Sequence, residues 1–266
     1  MKGVRFGYFW QMKWIKAIFT NLWKLYVGFI FCLTAIVLYP FFLIVLALPD
    51  GRKRSFSLFV VWSRLVQFFC MYPFRKNKRL DTNGKPFVLV ANHTSYLDIF
   101  LMFSLIPNHP FLFIGKSEIL GYPILKTYFK NLNIPVDRKN KSQAGRAFVL
   151  ARKAIEEGFS ICIFPEGGIP DLEPPEMGRF KDGAFLLAQK TGVPIIPVSF
   201  QNHYRLFSDP SEGFGPARPG YSNVYVHDPI YINDQNLKVK KQECHDLIQS
   251  KLWVFSKELH KFAADK

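Results

Sequence analysis

A chain of 266 residues, 49% hydrophobic and 17% aromatic, is long enough for one substantial α/β body plus a smaller appendage. Its net charge of +15 suggests a nucleic-acid partner until the distribution is read. Residues 1–80 hold thirteen Lys/Arg against one acid, Asp50, whereas residues 81–266 are nearly balanced. The excess cation travels with the most apolar stretch, as expected at an anionic lipid surface. No helix-turn-helix, ribonucleoprotein or zinc-finger pattern accompanies it, so nucleic acid is set aside. Cys32, Cys70, Cys162 and Cys244 are scattered without a Cys-x-x-Cys pair, which suits reduced thiols facing a cytosolic environment.

From Val27 to Leu48 the sequence VGFIFCLTAIVLYPFFLIVLAL carries no charge. Crossing the hydrocarbon as a helix takes roughly 20 apolar residues, so this stretch is long enough. It is too long and starts too late for a cleavable signal. Lys2, Arg5, Lys13, Lys16 and Lys24 precede it and Arg52, Lys53 and Arg54 follow, so the positive-inside rule assigns no orientation. A second apolar segment, FSLFVVWSRLVQFFCMYPF (56–74), is interrupted by Arg64 and Gln67 and reads as an interfacial or half-buried helix. Pro40 is a potential kink, and Pro49-Asp50-Gly51 is a turn signal. The expectation is a membrane-associated two-helix segment over residues 1–80, with a hairpin over 24–74 embedded in one leaflet. A single span is the second reading. A buried helix of a soluble core is a third, and it leaves the basic flanks unexplained.

Beyond residue 80 the pattern changes. Short β-rich runs occur at PFVLVA (86–91), FLFIG (111–115), SICIFP (160–165), PIIPVSF (194–200) and NVYVHDPIYI (223–232). Helical stretches lie at SQAGRAFVLARKAIEEG (142–158) and FKDGAFLLAQKTG (180–192), with a closing amphipathic helix over 240–262. Alternating β and α units predict a mostly parallel sheet flanked by helices, as one α/β domain over residues 81–266. In such sheets the ligand site gathers at the carboxyl ends of strands, where Asn92–Asp98 and Pro165–Gly168 both fall.

ANHTSYLDIF (91–100) places His93 five positions before Asp98. Alone, that spacing is as compatible with a turn as with a catalytic base. FPEGG (164–168) sets Glu166 between a strand end and a glycine pair. Glycines there let backbone N–H groups approach a ligand, and a glutamate can accept a hydroxyl hydrogen bond; a polar turn is the plainer alternative. The other histidines form no recognisable metal cluster, and no metal is expected.

In order, NHTSYLD, GKSEILGYPILKTYFKNLNIPVDR (115–138), FPEGG and VPIIPVSF (193–200) resemble the four motifs of the glycerolipid acyltransferases. The group they resemble most is 1-acyl-sn-glycerol-3-phosphate acyltransferase. The resemblance covers roughly residues 80–205, and that family's N-terminal two-helix motif would also fit residues 24–74. It implies acyl transfer from a thioester, carried by coenzyme A or acyl carrier protein, to the free sn-2 hydroxyl of lysophosphatidic acid. The product would be phosphatidic acid, made at a membrane with the active site facing the cytoplasm and without a cofactor.

Carried over by position, His93 would be the general base and Asp98 the partner that orients its ring. Lys116 and Arg138 would meet the acceptor phosphate, and Glu166 and Gly167 would bind the acceptor. Transfer would be direct, without an acyl intermediate on Ser95. The third motif usually continues Glu-Gly-Thr-Arg, whereas this chain has Gly168 and Ile169 where a hydroxyl and a cation are expected. Arg179 and Lys181 are candidate replacement charges. Competing readings are another lysolipid acceptor (amino-acid-headed or remodelling), a non-catalytic lipid-binding protein, and a metal-dependent hydrolase using His93, Asp98 and Glu166.

Overall fold

A computed structural model describes residues 2–80, 82–116, 126–128, 133–136, 141–208 and 215–264. Two helices lead: α1 (Lys2–Leu46) and α2 (Gly51–Phe69). The first runs unbroken through Pro40 and starts well before the apolar stretch. Between the helices Asp50 takes the left-handed conformation (φ 55°), and a Cβ on Gly51 would lie 2.5 Å from the Val45 carbonyl oxygen. Only glycine fits so tight a reversal.

The helices pair antiparallel. Trp23 Nε1 donates to Tyr72 Oη (2.8 Å), Tyr26 Oη to the Phe69 carbonyl (3.0 Å), and Trp62 Nε1 to Thr34 Oγ1 (2.9 Å). On α1 the buried positions Val27, Ile30, Thr34, Leu38 and Phe42 recur at helical spacing and form one stripe. The remaining face exposes Leu25, Phe29, Leu33, Ile36, Val37, Phe41 and Ile44. Residues Ala17–Leu46 are long and apolar enough to cross a membrane.

Seven strands follow among the described residues: β1 (Phe74–Lys76), β2 (Val88–Ala91), β3 (Phe111–Lys116), β4 (Asn133–Val136), β5 (Ser160–Ile163), β6 (Ile195–Phe200) and β7 (Ser222–Val226). Their order in one sheet is β1-β7-β6-β2-β5-β3-β4, every pair parallel except β6–β7. All residues of β2 and β6 are buried, as unbroken apolar runs require in a sheet covered on both faces.

The helices of the body are α3 (Leu97–Leu105), α4 (Lys141–Glu156), α5 (Gly183–Thr191), α6 (His203–Leu206) and α7 (Leu237–Ala264). Helix α3 packs on α2 to make one layer, while α4, α5 and α7 form a contiguous second layer. Phe111 of β3 meets Phe56 of α2 edge-on and stacks on Phe103 of α3, with centroids 5.1 Å apart at each contact. The hairpin and the α/β body therefore share one hydrophobic core.

Several elements differ from expectation. The run 223–232 yields strand only to Val226, because Pro229 has no N–H to continue the ladder; Ile230 rejoins through an isolated bridge to Ile195. Helix α5 begins at Gly183 rather than 180, since the Lys181 N–H is drawn to the Pro165 carbonyl (3.0 Å). Strands β1 and β4, each three or four residues, gave no periodic signal.

Trp62 lies at the centre of the hairpin–body junction, against Phe31, Phe59, Phe100 and Tyr128. Trp62→Ala should cost about 3–5 kcal/mol of stability, whereas Phe68→Ala, at 76% exposed, should cost less than about 0.5 kcal/mol. Thermal melts of both variants in detergent check this, and equal shifts would contradict a shared core at Trp62.

Candidate active site

Strands β6, β2 and β5 are adjacent and parallel, so their carboxyl ends open at one edge of the sheet. Asn92, one residue past β2, extends this edge. Its Nδ2 donates to the Phe200 carbonyl (3.0 Å) and its Oδ1 accepts the Phe200 N–H (2.7 Å). A side-chain amide thus replaces a backbone rung, and the chain is released to turn at His93.

Asp98, the second residue of α3, folds back over that turn. Its Oδ2 accepts from the Thr94 N–H (2.7 Å), the Ser95 N–H (2.9 Å) and His93 Nδ1 (2.9 Å). Its Oδ1 meets Nδ1 of His203 at 2.6 Å. The carboxylate is wholly buried. Burial alone would raise its pKa, but the hydrogen bonds from His203 and His93 outweigh this and hold it below the ordinary aspartate value. An ionised Asp98 requires Nδ1 of His93 to carry the proton, which leaves the Nε2 lone pair free to act as a base. The His93 ring lies flat on Phe164, with centroids 4.2 Å apart and planes at 18°.

Glu166 ties the loop after β5 to two neighbours. Its Oε1 accepts the backbone N–H of His93 (2.9 Å) and its Oε2 that of Gly178 (2.7 Å). Burial pushes its pKa up to about 7, against the two N–H bonds that favour the charged form. Gly167 has φ 93°, a conformation that favours glycine, and the Lys181 ammonium lies close over it. The Gly167 N–H is itself used in a turn to the Phe164 carbonyl (3.0 Å). Beside this loop lies a cavity of about 330 Å³ whose walls include Ile114, Phe148, Phe164, Leu187 and, at the polar end, Lys181.

The structure thus brings His93, Asp98, Glu166 and Gly167 to one edge. Lys116 ends β3, which also points its carboxyl end there. Arg138 lies outside the described residues. Ser95 is fully buried; its hydroxyl donates to the Phe207 carbonyl and accepts the Leu97 N–H, which marks it as a strut of the turn. Among the described residues no group of three or more His, Cys, Asp or Glu is placed to hold a metal ion.

Sequence reasoning missed two residues, Asn92 as a rung and His203 as a partner of Asp98. The only signal for His203 was its place just beyond a strand end.

A family profile described as Acyltransferase matches residues 74–201. The chain is 30% identical over 227 residues to the chloroplastic 1-acyl-sn-glycerol-3-phosphate acyltransferase BAT2 of Brassica napus, covering 79% of this chain and 62% of that protein. It is 28% identical to the chloroplastic 1-acyl-sn-glycerol-3-phosphate acyltransferase LPAT1 of Arabidopsis thaliana (77% of this chain, 59% of that protein). The chain therefore spans about three fifths of the length of these plant relatives. The crystal structure of the 1-acyl-sn-glycerophosphate acyltransferase PlsC from Thermotoga maritima shares the fold, with a TM-score of 0.74 and 21% identity, over 91% of this chain and 98% of that one.

The raised pKa of Glu166 has a signed consequence. The folded state holds this proton more tightly than the unfolded chain, so the contribution is fully present below about pH 4.5 and is lost as pH rises through about 7. The wild-type protein should lose stability relative to Glu166→Gln across that window, by an amount on the order of a few kcal/mol. Melts of the two proteins at pH 4.5 and pH 7.5 measure it; a pH-independent difference would place Glu166 in an ordinary solvated setting.

Proposed function

We propose that this chain is a membrane-bound acyltransferase that moves a fatty acyl group from a thioester to the free sn-2 hydroxyl of lysophosphatidic acid, giving phosphatidic acid. The observation that carries this reading is the His93–Asp98 pair, held at 2.9 Å through Nδ1, which makes Nε2 the ring nitrogen with the lone pair. An alcohol is a poor nucleophile at neutral pH. His93 Nε2 would take its proton as the oxygen attacks the thioester carbonyl, and Asp98 would stabilise the imidazolium that forms. The new C–O bond forms, the C–S bond breaks, and the proton passes from His93 to the departing thiolate. No acyl-enzyme and no metal enter this scheme.

The donor thioester would be carried by coenzyme A or acyl carrier protein. The acceptor phosphate needs cations. Lys116 at the end of β3, Arg138 two residues past β4 and Lys181 over Gly167 are the ones we assign, with Lys181 standing in for the arginine absent from EGGIP. The cavity beside Phe164 offers apolar volume for part of an acyl chain.

Membrane binding follows from the hairpin. An apolar surface as extensive as that of α1, together with the exposed Phe68, Phe69 and Met71, is of the kind that marks a membrane contact. It stands at the right end of the molecule, because Tyr72 Oη donates to the Leu206 carbonyl (3.3 Å) of α6, beside the site. A lysolipid could reach His93 from the bilayer surface without full extraction into water, with the site on the cytoplasmic side.

His93→Ala should lower transfer to lysophosphatidic acid on the order of 10²–10⁴-fold with folding intact. Labelled acyl donor and purified protein in detergent test this, and retained turnover would refute His93 as the base. Lys181→Ala should lower kcat/KM about 10- to 100-fold with lysophosphatidic acid, the effect of losing one charge-assisted contact, and much less with a phosphate-free lysolipid. Equal losses on both acceptors would remove Lys181 from the phosphate site.

A further inference from the structure

Asp98 has a second imidazole behind it. His203 is fully buried at the start of α6, its ring stacked on Phe200 with centroids 4.5 Å apart. Its Nδ1 lies 2.6 Å from Asp98 Oδ1, and its Nε2 lies 2.6 Å from Ser222 Oγ at the beginning of β7. Because β7 runs antiparallel to β6, the start of β7 falls at the same edge as the end of β6. A chain of contacts therefore runs Ser222–His203–Asp98–His93 across residues drawn from 222, 203, 98 and 93.

From this geometry we infer that His203 is a positioning residue for the acyl-transfer site, setting both the direction of the Asp98 carboxylate and its pull on His93. The inference rests on the acyltransferase reading for its consequence, though not for its geometry. A carboxylate offers about four lone-pair sites. Three donors gather at Oδ2, and among the described residues His203 is the donor at Oδ1. In the neutral ring Nδ1–H donates to Asp98 while Nε2 accepts the Ser222 hydroxyl, so both nitrogens are satisfied.

Removing that donor would have two effects. A buried anionic oxygen would lose its partner and the carboxylate would be less firmly aimed, although the Thr94 and Ser95 N–H groups keep Oδ2 against His93 Nδ1. Its charge, no longer shared between two rings, would also act more strongly on His93, favouring the imidazolium. The other titratable groups acting on Asp98 are Cys162 on β5, whose own pKa is pushed well up by burial first and by Asp98 second, and Glu166 in the loop beyond it. Neither donates to Oδ1, so neither replaces His203.

The discriminating variants are His203→Asn, whose amide N–H sits near the position of Nδ1, and His203→Leu, which has no donor. Two readouts are taken on full-length protein in detergent. One is the pH profile of acyl transfer to lysophosphatidic acid. The other is the pH dependence of carbethoxylation of His93, followed on its own peptide by mass spectrometry, which needs no turnover.

With His203→Leu, kcat should fall about 10- to 100-fold. The acid limb of kcat/KM and the His93 modification midpoint should both move to higher pH. His203→Asn should keep both midpoints near those of the wild type. If His203→Leu does not fold, His203→Gln takes its place, since its amide reaches the Nε2 side and leaves Oδ1 without a donor. Equal behaviour of the Asn and donor-free variants, or an unmoved His93 midpoint, overturns the inference. A moved His93 midpoint in a protein that transfers no acyl group supports the positioning role and refutes the acyltransferase reading instead.

Discussion

The buried carboxylate of Asp98 is the point on which the site depends. Four donors converge on it, two from the backbone of the turn and two from histidines separated by more than a hundred residues of chain. An anion without contact with water is tolerated only when its hydrogen-bonding capacity is met from within the protein. That demand fixes the turn after β2, the entry into α3 and the placement of α6. It also fixes the His93 tautomer, because a ring that donates through Nδ1 must present its lone pair at Nε2.

Glu166, the other carboxylate of the edge, behaves in the opposite way although it lies nearby. Asp98 is met by imidazoles that can take on positive charge, and its pKa falls. Glu166 is met by two neutral backbone N–H groups, which do not offset its burial, and its pKa rises to about 7. Near neutral pH a proton there is easily gained or lost, while Asp98 stays charged. The first group anchors charge next to the histidine; the second joins the loops after β2 and β5 to the segment around Gly178.

The hairpin serves two demands with different faces. Towards the body, α2 buries Phe56, Phe59, Trp62 and Val66, and its Ser63 hydroxyl donates to the Phe100 carbonyl and accepts the Ser104 N–H. Away from the body, α1 exposes a broad apolar face. Tyr128 reaches in from the other side, donating to the Ala35 carbonyl at 2.6 Å. The same tertiary contacts that hold the hairpin to the sheet also set its apolar end beside α6 and the active-site edge.

Much of this protein could be read directly from its sequence. Unbroken apolar runs identified β2, β3, β5 and β6, because strands buried on both faces need little else. An uncharged stretch identified the core of α1. The five-residue spacing of His93 and Asp98 was visible because the pair closes within one turn. Local pattern did not reach β1 and β4, which are too short to show a period, or α3, whose nine residues are apolar on nearly every side. Nor could it reveal that Asn92 serves as a backbone rung to Phe200, or that Glu166 spends both oxygens on backbone N–H groups. His203 lies 105 residues from Asp98 in the chain. Only the parallel sheet, by bringing the ends of β2 and β6 side by side, makes them neighbours. Composition and spacing act over a few residues; the pairing of distant strand ends is set by the burial of the whole sheet, and that decided which imidazoles share the carboxylate.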